Sequence, residues 1–203
     1  MQNLFREKTM IPFPNKKYKI IYADPPWSYN KYSNSKKNIS DKVRVTPYDP
    51  MPLEDIKNMP VPLIADDDCV LFMWVTFPCL EMGLEVIKAW GFKYKTVGFN
   101  WLKKNKRGIG WFMGFGHYTR SNGEICLLAT KGKGSKVLKK NMSQVVVTPL
   151  TVHSEKPSIV MKKIVDLYGD ESRIELFARK QISGWDCWGN DLSLDQGSLE
   201  QFL

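Results

Sequence analysis

Short apolar runs alternate along this chain with stretches of helical spacing. Lys19–Ala23 (KIIYA) is cut off by Asp24-Pro25-Pro26. Prolines cannot continue a hydrogen-bonded ladder, so this run predicts a strand ending in a rigid loop. Between Leu53 and Ile64 a helix start is broken by Pro60 and Pro62. Cys69–Val75 (CVLFMWV) is apolar without interruption, as in a strand covered on both faces. Leu80, Leu84, Ile87 and Trp90 share a helical stripe that Gly91 stops. Lys95–Leu102 and Glu124–Thr130 read as strands, each followed by a basic loop, Lys103–Tyr118 and Lys131–Lys140. Pro157 opens a helix with Ile159, Val160, Ile164 and Leu167 as its apolar face, and Gly169 ends it. Arg173–Ala178 (RIELFA) reads as the final strand, and residues 192–203 as a tail without pattern. Strand alternating with helix predicts an α/β sheet with much parallel pairing.

Composition narrows the class. With 203 residues, 43% hydrophobic content and seven Trp, ten Phe and eight Tyr, the chain is expected to fold as a single domain over 1–203. The longest apolar run has seven residues, against the ~20 that span a bilayer. The segment MQNLFREKTM has no signal-peptide core, so the expectation is a soluble, cytoplasmic protein that does not engage membranes. Cys69, Cys79, Cys126 and Cys187 form no C-x-x-C pair, and His117 and His153 lie far apart, so no metal site is expected.

The net charge of +9 points toward a polyanion. Between Trp101 and Lys140 there are ten Lys and Arg against one acid, Glu124, an excess equal to that of the whole chain. Trp101, Trp111, Phe112, Phe115 and Tyr118 lie among them. Cations interleaved with rings suit an unpaired nucleic acid, phosphates on the cations and bases on the rings. A solvated loop whose lysines serve only solubility is the plainer alternative.

Asp24-Pro25-Pro26-Trp27 carries the most specific chemistry. From average usage, chance yields this tetrapeptide in roughly one of several thousand chains this long. An Asp before Pro-Pro can simply cap a turn. Methylation of an exocyclic amine, however, uses all four residues. The lone pair of adenine N6 is delocalised into the ring, and two acceptors aimed at its N–H bonds would draw the nitrogen toward a nucleophilic form. A carboxylate (Asp24) and a carbonyl in the diproline loop supply such acceptors, held in advance by the proline rings. Trp27, expected at the rim, can stack on an extruded base.

That tetrapeptide resembles motif IV of amino-methyltransferases, and its Trp variant is similar to the MT-A70 family of adenine-N6 methyltransferases. The likeness continues through Leu71–Thr76, Gly116-His117-Tyr118 with Glu124–Leu127, His153–Pro157, Ile174–Arg179 and Gly184–Asn190, about residues 18–191 in all. It implies a Rossmann-like S-adenosylmethionine-dependent methyltransferase sheet with helices on both faces and permuted motif order, Arg173–Ala178 serving as the first Rossmann strand. The glycines at 108, 110, 114 and 116 read as loop flexibility, because no strand-to-helix turn surrounds them. The resemblance implies that S-adenosylmethionine is held by Asp24, Lys156, Glu175, Leu176, Phe177, Arg179 and Asn190. It implies Asp24, Pro25, Pro26 and Trp27 as the catalytic set. On the acceptor side it implies Tyr48, His117 and Glu124, and the charge reading adds Lys103, Lys104, Lys106, Arg107 and Arg120.

Two departures stand out. Lys180-Gln181-Ile182 replaces the Pro-His-Asn series of the eukaryotic enzyme, and only 23 residues precede Asp24. By analogy with small members of the family the expected substrate is DNA, with RNA the alternative and a homodimer left open. A catalytically silent nucleic-acid-binding partner is a second class, opposed by the intact motif. Methylation of protein glutamine or cytosine N4 is a third, opposed by Trp27 where those enzymes carry Tyr or Phe.

Overall fold

The computed structural model describes residues 12–28, 50–116, 118–151, 155–190 and 192. Seven strands form one sheet: β1 (Tyr18–Ala23), β2 (Ala65–Val75), β3 (Lys93–Lys104), β4 (Gly123–Lys131), β5 (Val145–Pro149), β6 (Arg173–Leu176) and β7 (Asp186–Trp188). Their spatial order is β5-β3-β4-β2-β1-β6-β7. Pairing is parallel except for β2–β4 and β3–β4, so β4 alone runs against the other six. The α/β sheet with largely parallel pairing is therefore present.

Apolar side chains on the two faces build two cores. One contains Ile56 of α1 (Leu53–Lys57), Val61 and Ile64 of α2 (Val61–Ile64), and Val86 and Ile87 of α3 (Leu80–Ala89). The other holds Val160, Met161, Ile164 and Tyr168 of α4 (Ile159–Tyr168) together with Trp185. Helices thus cover both faces, which explains why Cys69–Val75 is buried throughout.

Several elements differ from the sequence reading. The buried stripe of α3 is Gly83, Val86, Ile87 and Trp90, while Leu80 and Leu84 are more than a third exposed. Gly83 lies so close to β2 that a Cβ there would sit 2.5 Å from Val75 Cγ1, so backbone contact sets the helix's rotation. In α4, Ile159 is exposed and Met161 and Tyr168 are buried, again a rotated stripe. Pro60 breaks the first helical segment, but Pro62 sits in the first turn of α2, where its missing N–H costs nothing. The strands β5 and β7 were not anticipated, and Arg173–Leu176 is consequently not the last strand. No helix among the described residues is long and apolar enough to cross a membrane.

Candidate active site

The chain leaves β1 toward β2 on one side and returns to β6 on the other, so the order reverses between β1 and β6. Ligands of such sheets bind outside the carboxyl ends of the strands at this point. Asp24 follows β1 and Phe177 follows β6 there. Because β4 is reversed, its first residues, Gly123 and Glu124, reach the same edge, as do Lys103 and Lys104 at the end of β3.

Four charged side chains meet above β1 and β4. Asp24 Oδ2 accepts a hydrogen bond from Lys156 Nζ at 2.6 Å, and the same ammonium lies 3.3 Å from Glu124 Oε2. Glu124 Oε1 in turn accepts from Lys103 Nζ. Their side chains are only 11% to 22% exposed. Indoles enclose the ammonium groups: Lys156 Nζ is 5.7 Å from the Trp74 ring centroid and Lys103 Nζ 4.6 Å from that of Trp101. Trp74 Nε1 donates to the buried Tyr22 hydroxyl at 2.6 Å. Burial pushes the Asp24 carboxyl above its ordinary value, and Lys156 opposes this without reversing it. Burial also acts on Glu124, but two ammoniums, Lys156 and Lys103, outweigh it and hold that carboxyl below its ordinary value. Lys156 loses by burial, yet the carboxylates of Asp24 and Glu124 raise it firmly into the charged form.

The diproline turn is held from both sides. The Pro25 carbonyl accepts from Trp27 N at 2.8 Å and the Pro26 carbonyl from Met51 N at 2.9 Å. A carbonyl has two lone pairs, so among the described residues Pro25 retains one. Trp27 is 3% exposed and its Nε1 donates to the Trp74 carbonyl at 2.9 Å. The expectation of a ring at the rim that stacks on a base is thereby corrected. The indole has an apolar niche and a buried acceptor within reach, and burial satisfies both ends of the ring.

On the other side of the switch point, Phe177 has φ +63°, the one non-glycine residue in the left-handed region among those described. A bulky side chain there is strained, so the turn is imposed by its surroundings. Gly189 explains part of the constraint. A Cβ at Gly189 would lie 2.2 Å from Ala178 O, because the chain after β7 presses on the chain after β6, with Ala178 N donating to Trp188 O at 2.9 Å. These turns bring Leu176, Phe177, the exposed Arg179 and the exposed Asn190 to one edge with Asp24. Glu175, on β6 beside Tyr22, is pushed up to about 7 by burial and then by the nearby charge of Asp24, with Lys180 and Lys156 opposing. Lys180 itself pairs with Glu155 at 2.5 Å. Among the described residues no cation bridges Glu175. A ligand that brings positive charge to this edge therefore fits the donor set.

The first basic loop also lies at this edge. Asn105 closes its turn by accepting from Arg107 N and donating to the Ile109 carbonyl, and Gly108 and Gly110 have φ of +75° and +72°. These glycines serve turn geometry, which corrects their reading as flexibility. Lys106 and Arg107 are exposed, and Lys104 Nζ is 5.1 Å from the Trp111 ring centroid. Arg120 is exposed but donates to the Gly114 and Met113 carbonyls, fastening the loop. Trp111, Phe115 and Tyr118 are exposed. Lys103, by contrast, is turned inward onto Glu124, so the expectation of a phosphate contact at that position is corrected.

The second basic loop lies elsewhere. Nine residues of β4 separate it from the first, about 30 Å. Lys131 Nζ donates to Ala65 O at the start of β2, and Lys139 is 3.7 Å from Asp166 near the end of α4. The ten basic residues thus divide between opposite edges of the sheet, because β4 carries the chain across it. Tyr48 and His117 lie outside the described residues. The coupling of Asp24, Lys156, Glu124 and Lys103, and its enclosure by Trp74, was not foreseen. Nothing in the linear order signals it, since the four positions share no local spacing.

Comparison with known proteins adds to this geometry. The MT-A70 family model matches residues 18–191. A type II methyltransferase, M.MunI of Mycoplasma sp, is 36% identical over 192 residues, 88% of this chain and 79% of that protein. The N(6)-adenosine-methyltransferase catalytic subunit METTL3 of Homo sapiens is 27% identical over 179 residues, and an MT-A70-like N(6)-adenosine-methyltransferase of Drosophila melanogaster is likewise 27% identical. This chain spans 28% and 27% of the length of those two proteins.

Proposed function

This chain belongs to the MT-A70 family, and on that premise we propose that it transfers a methyl group from S-adenosylmethionine to the N6 amine of adenine in DNA. The observation that carries the reading is the placement of Asp24 and the Pro25 carbonyl together at the switch point between β1 and β6. When bound, S-adenosylmethionine supplies an electrophilic methyl on a positively charged sulfur. Asp24, Lys156, Glu175, Leu176, Phe177, Arg179 and Asn190 would hold it, and the Glu175 carboxyl, which no cation bridges among the described residues, suits its positive charge.

The chain's own residues then act on the acceptor. Asp24, whose ionised form Lys156 favours against burial, accepts one N–H of the amine, and the remaining lone pair of the Pro25 carbonyl accepts the other. This pulls the lone pair out of conjugation with the ring. Pro26 and Trp27 fix that turn from below, Trp27 as its buried anchor. Lys104, Lys106 and Arg107, with the exposed Trp111 and Phe115, form the surface along which the strand runs, shaped by Arg120. The target base must be unpaired or flipped to reach Asp24. Tyr48, His117 and Glu124 complete the acceptor side in this reading. Such an enzyme works as a single domain in the cytoplasm, where its polymer is.

RNA is the second reading, favoured by the similarity to N(6)-adenosine-methyltransferases. Labelled S-adenosylmethionine offered with single-stranded DNA, duplex DNA, RNA and an adenine-free polymer separates the two, with Asp24→Ala as control and digestion to identify the product. N6-methyladenine in DNA alone supports the proposal, label in RNA alone transfers it to RNA, and label in the adenine-free polymer refutes both.

A further inference from the structure

We propose that Lys103 is a positioning residue of the methyl-transfer site: acting through Glu124, it keeps Lys156 shared between two carboxylates, and it does not bind phosphate. The inference deepens the reading of Asp24 as the acceptor of the amine and rests on it. Three observations carry it. The Lys103 side chain is 11% exposed, whereas Lys106 and Arg107 on the following turn are exposed. Its ammonium is spent on Glu124 and on the face of Trp101. Its position also follows from strand register. Trp101 pairs with Glu124, so Lys103, two residues on, lies diagonal to Glu124 on the same face of the sheet.

The consequence is electrostatic. Two carboxylates and two ammoniums alternate in a nearly enclosed row and sum to zero. Without the Lys103 charge, Glu124 and Asp24 compete for the single ammonium of Lys156. Glu124 then draws Lys156 away or takes a proton itself. In the first case Asp24 loses the partner that favours its ionised form. Asp24 is faced by Lys156, Glu124, Glu175 and Arg179, with Tyr22 and Cys126 beside it. Of these, Lys156 is the cation that hydrogen-bonds it. Weakening that bond raises Asp24 further and moves the acid limb of the pH–rate profile upward.

The test compares wild type, Lys103→Met, Lys103→Arg, Lys106→Ala/Arg107→Ala and, as a β3 control, Lys93→Met. The expected result for Lys103→Met is an acid limb raised by about one unit, hence a kcat lower by about tenfold on that limb. Its affinity for a single-stranded oligonucleotide and the salt slope of binding stay those of wild type. Lys103→Arg restores the profile, and the Lys106/Arg107 pair shows the reduced salt slope instead. A Lys103→Met variant with the wild-type pH profile, but weaker binding and a flatter salt slope, overturns the proposal in favour of a phosphate contact. Titration of Glu124 followed by carboxyl ¹³C NMR needs no turnover. An upward shift of Glu124 in Lys103→Met supports the coupling even if no polymer is methylated, which would sink only the acceptor reading. An unmoved Glu124 sinks the coupling itself.

Discussion

Replacing Glu175 by Gln tests how the switch-point edge holds charge. Burial and the Asp24 carboxylate push Glu175 from 4.5 to about 7. A raised acid keeps its proton in the folded protein at pH values where the unfolded chain has lost it. Stability tied to the neutral form is therefore fully present below about pH 4.5 and lost as pH rises through about 7. The difference of about 2.5 units corresponds to roughly 3 kcal/mol at 1.36 kcal/mol per unit. Glutamine is neutral throughout and close in shape, so Glu175→Gln removes this dependence and leaves the rest of the edge in place. Urea unfolding of both proteins at pH 5, 6, 7 and 8 measures it. Part of this is already lost at pH 5, so the wild type is expected to lose about 2.5 kcal/mol more than the variant between pH 5 and pH 8, most of it by pH 7. Asp24, also raised by burial, titrates in both proteins and largely cancels in the difference. Parallel curves that stay within about 0.5 kcal/mol of each other would refute the argument, since the carboxyl would then be solvated in the folded state.

Other outcomes follow from the same geometry. Asp24→Ala is expected to cut methyl transfer by about 10²–10³-fold while far-UV circular dichroism stays native, and activity within tenfold of wild type would remove Asp24 from its role. Trp27→Ala empties a buried niche and leaves the Trp74 carbonyl without its donor, so chemical denaturation should show a loss of about 3–5 kcal/mol; a loss under 1 kcal/mol would return the ring to the rim. Gly189→Ala pushes a methyl to within 2.2 Å of Ala178 O, and calorimetry should register destabilisation of about 2 kcal/mol together with loss of S-adenosylmethionine binding. Replacing Lys106 and Arg107 by Ala should reduce the salt slope of single-strand binding by about 1.4, and an unchanged slope would make the loop a bystander.

Much of this molecule is written in local pattern. The apolar runs of β1, β2, β4 and β6 and the helical stripes of α3 and α4 all announce themselves, because burial on two faces or on one stripe imposes a recognisable spacing. The tetrapeptide at Asp24 and the ordered motifs to Asn190 point to an amine methyltransferase without any coordinates. Edge strands are a different matter. Val145–Pro149 and Asp186–Trp188 are short, and what makes them strands is a neighbour to pair with.

Rotation, direction and pairing of charge belong to the tertiary structure alone. Leu84 faces outward because Gly83 lets α3 settle on Val75, a contact between elements that no periodicity contains. The reversed direction of β4 sends Lys131–Lys140 to the far edge, although it follows Trp101–Arg120 closely in the chain. Trp27 is an anchor because a carbonyl of β2 waits beneath it. Lys103 and Lys106 have the same chemistry and almost the same address in the sequence. One is enclosed against Glu124 and the other stands in water, because the register of β3 with β4 turns Lys103 onto the face that carries Glu124, while Lys106 lies on the turn beyond the end of the strand. A sequence determines which groups are available and which faces they favour locally. Which cation meets which carboxylate, and whether water separates them, is decided only when distant strands come together, since Coulomb and desolvation energies depend on those distances.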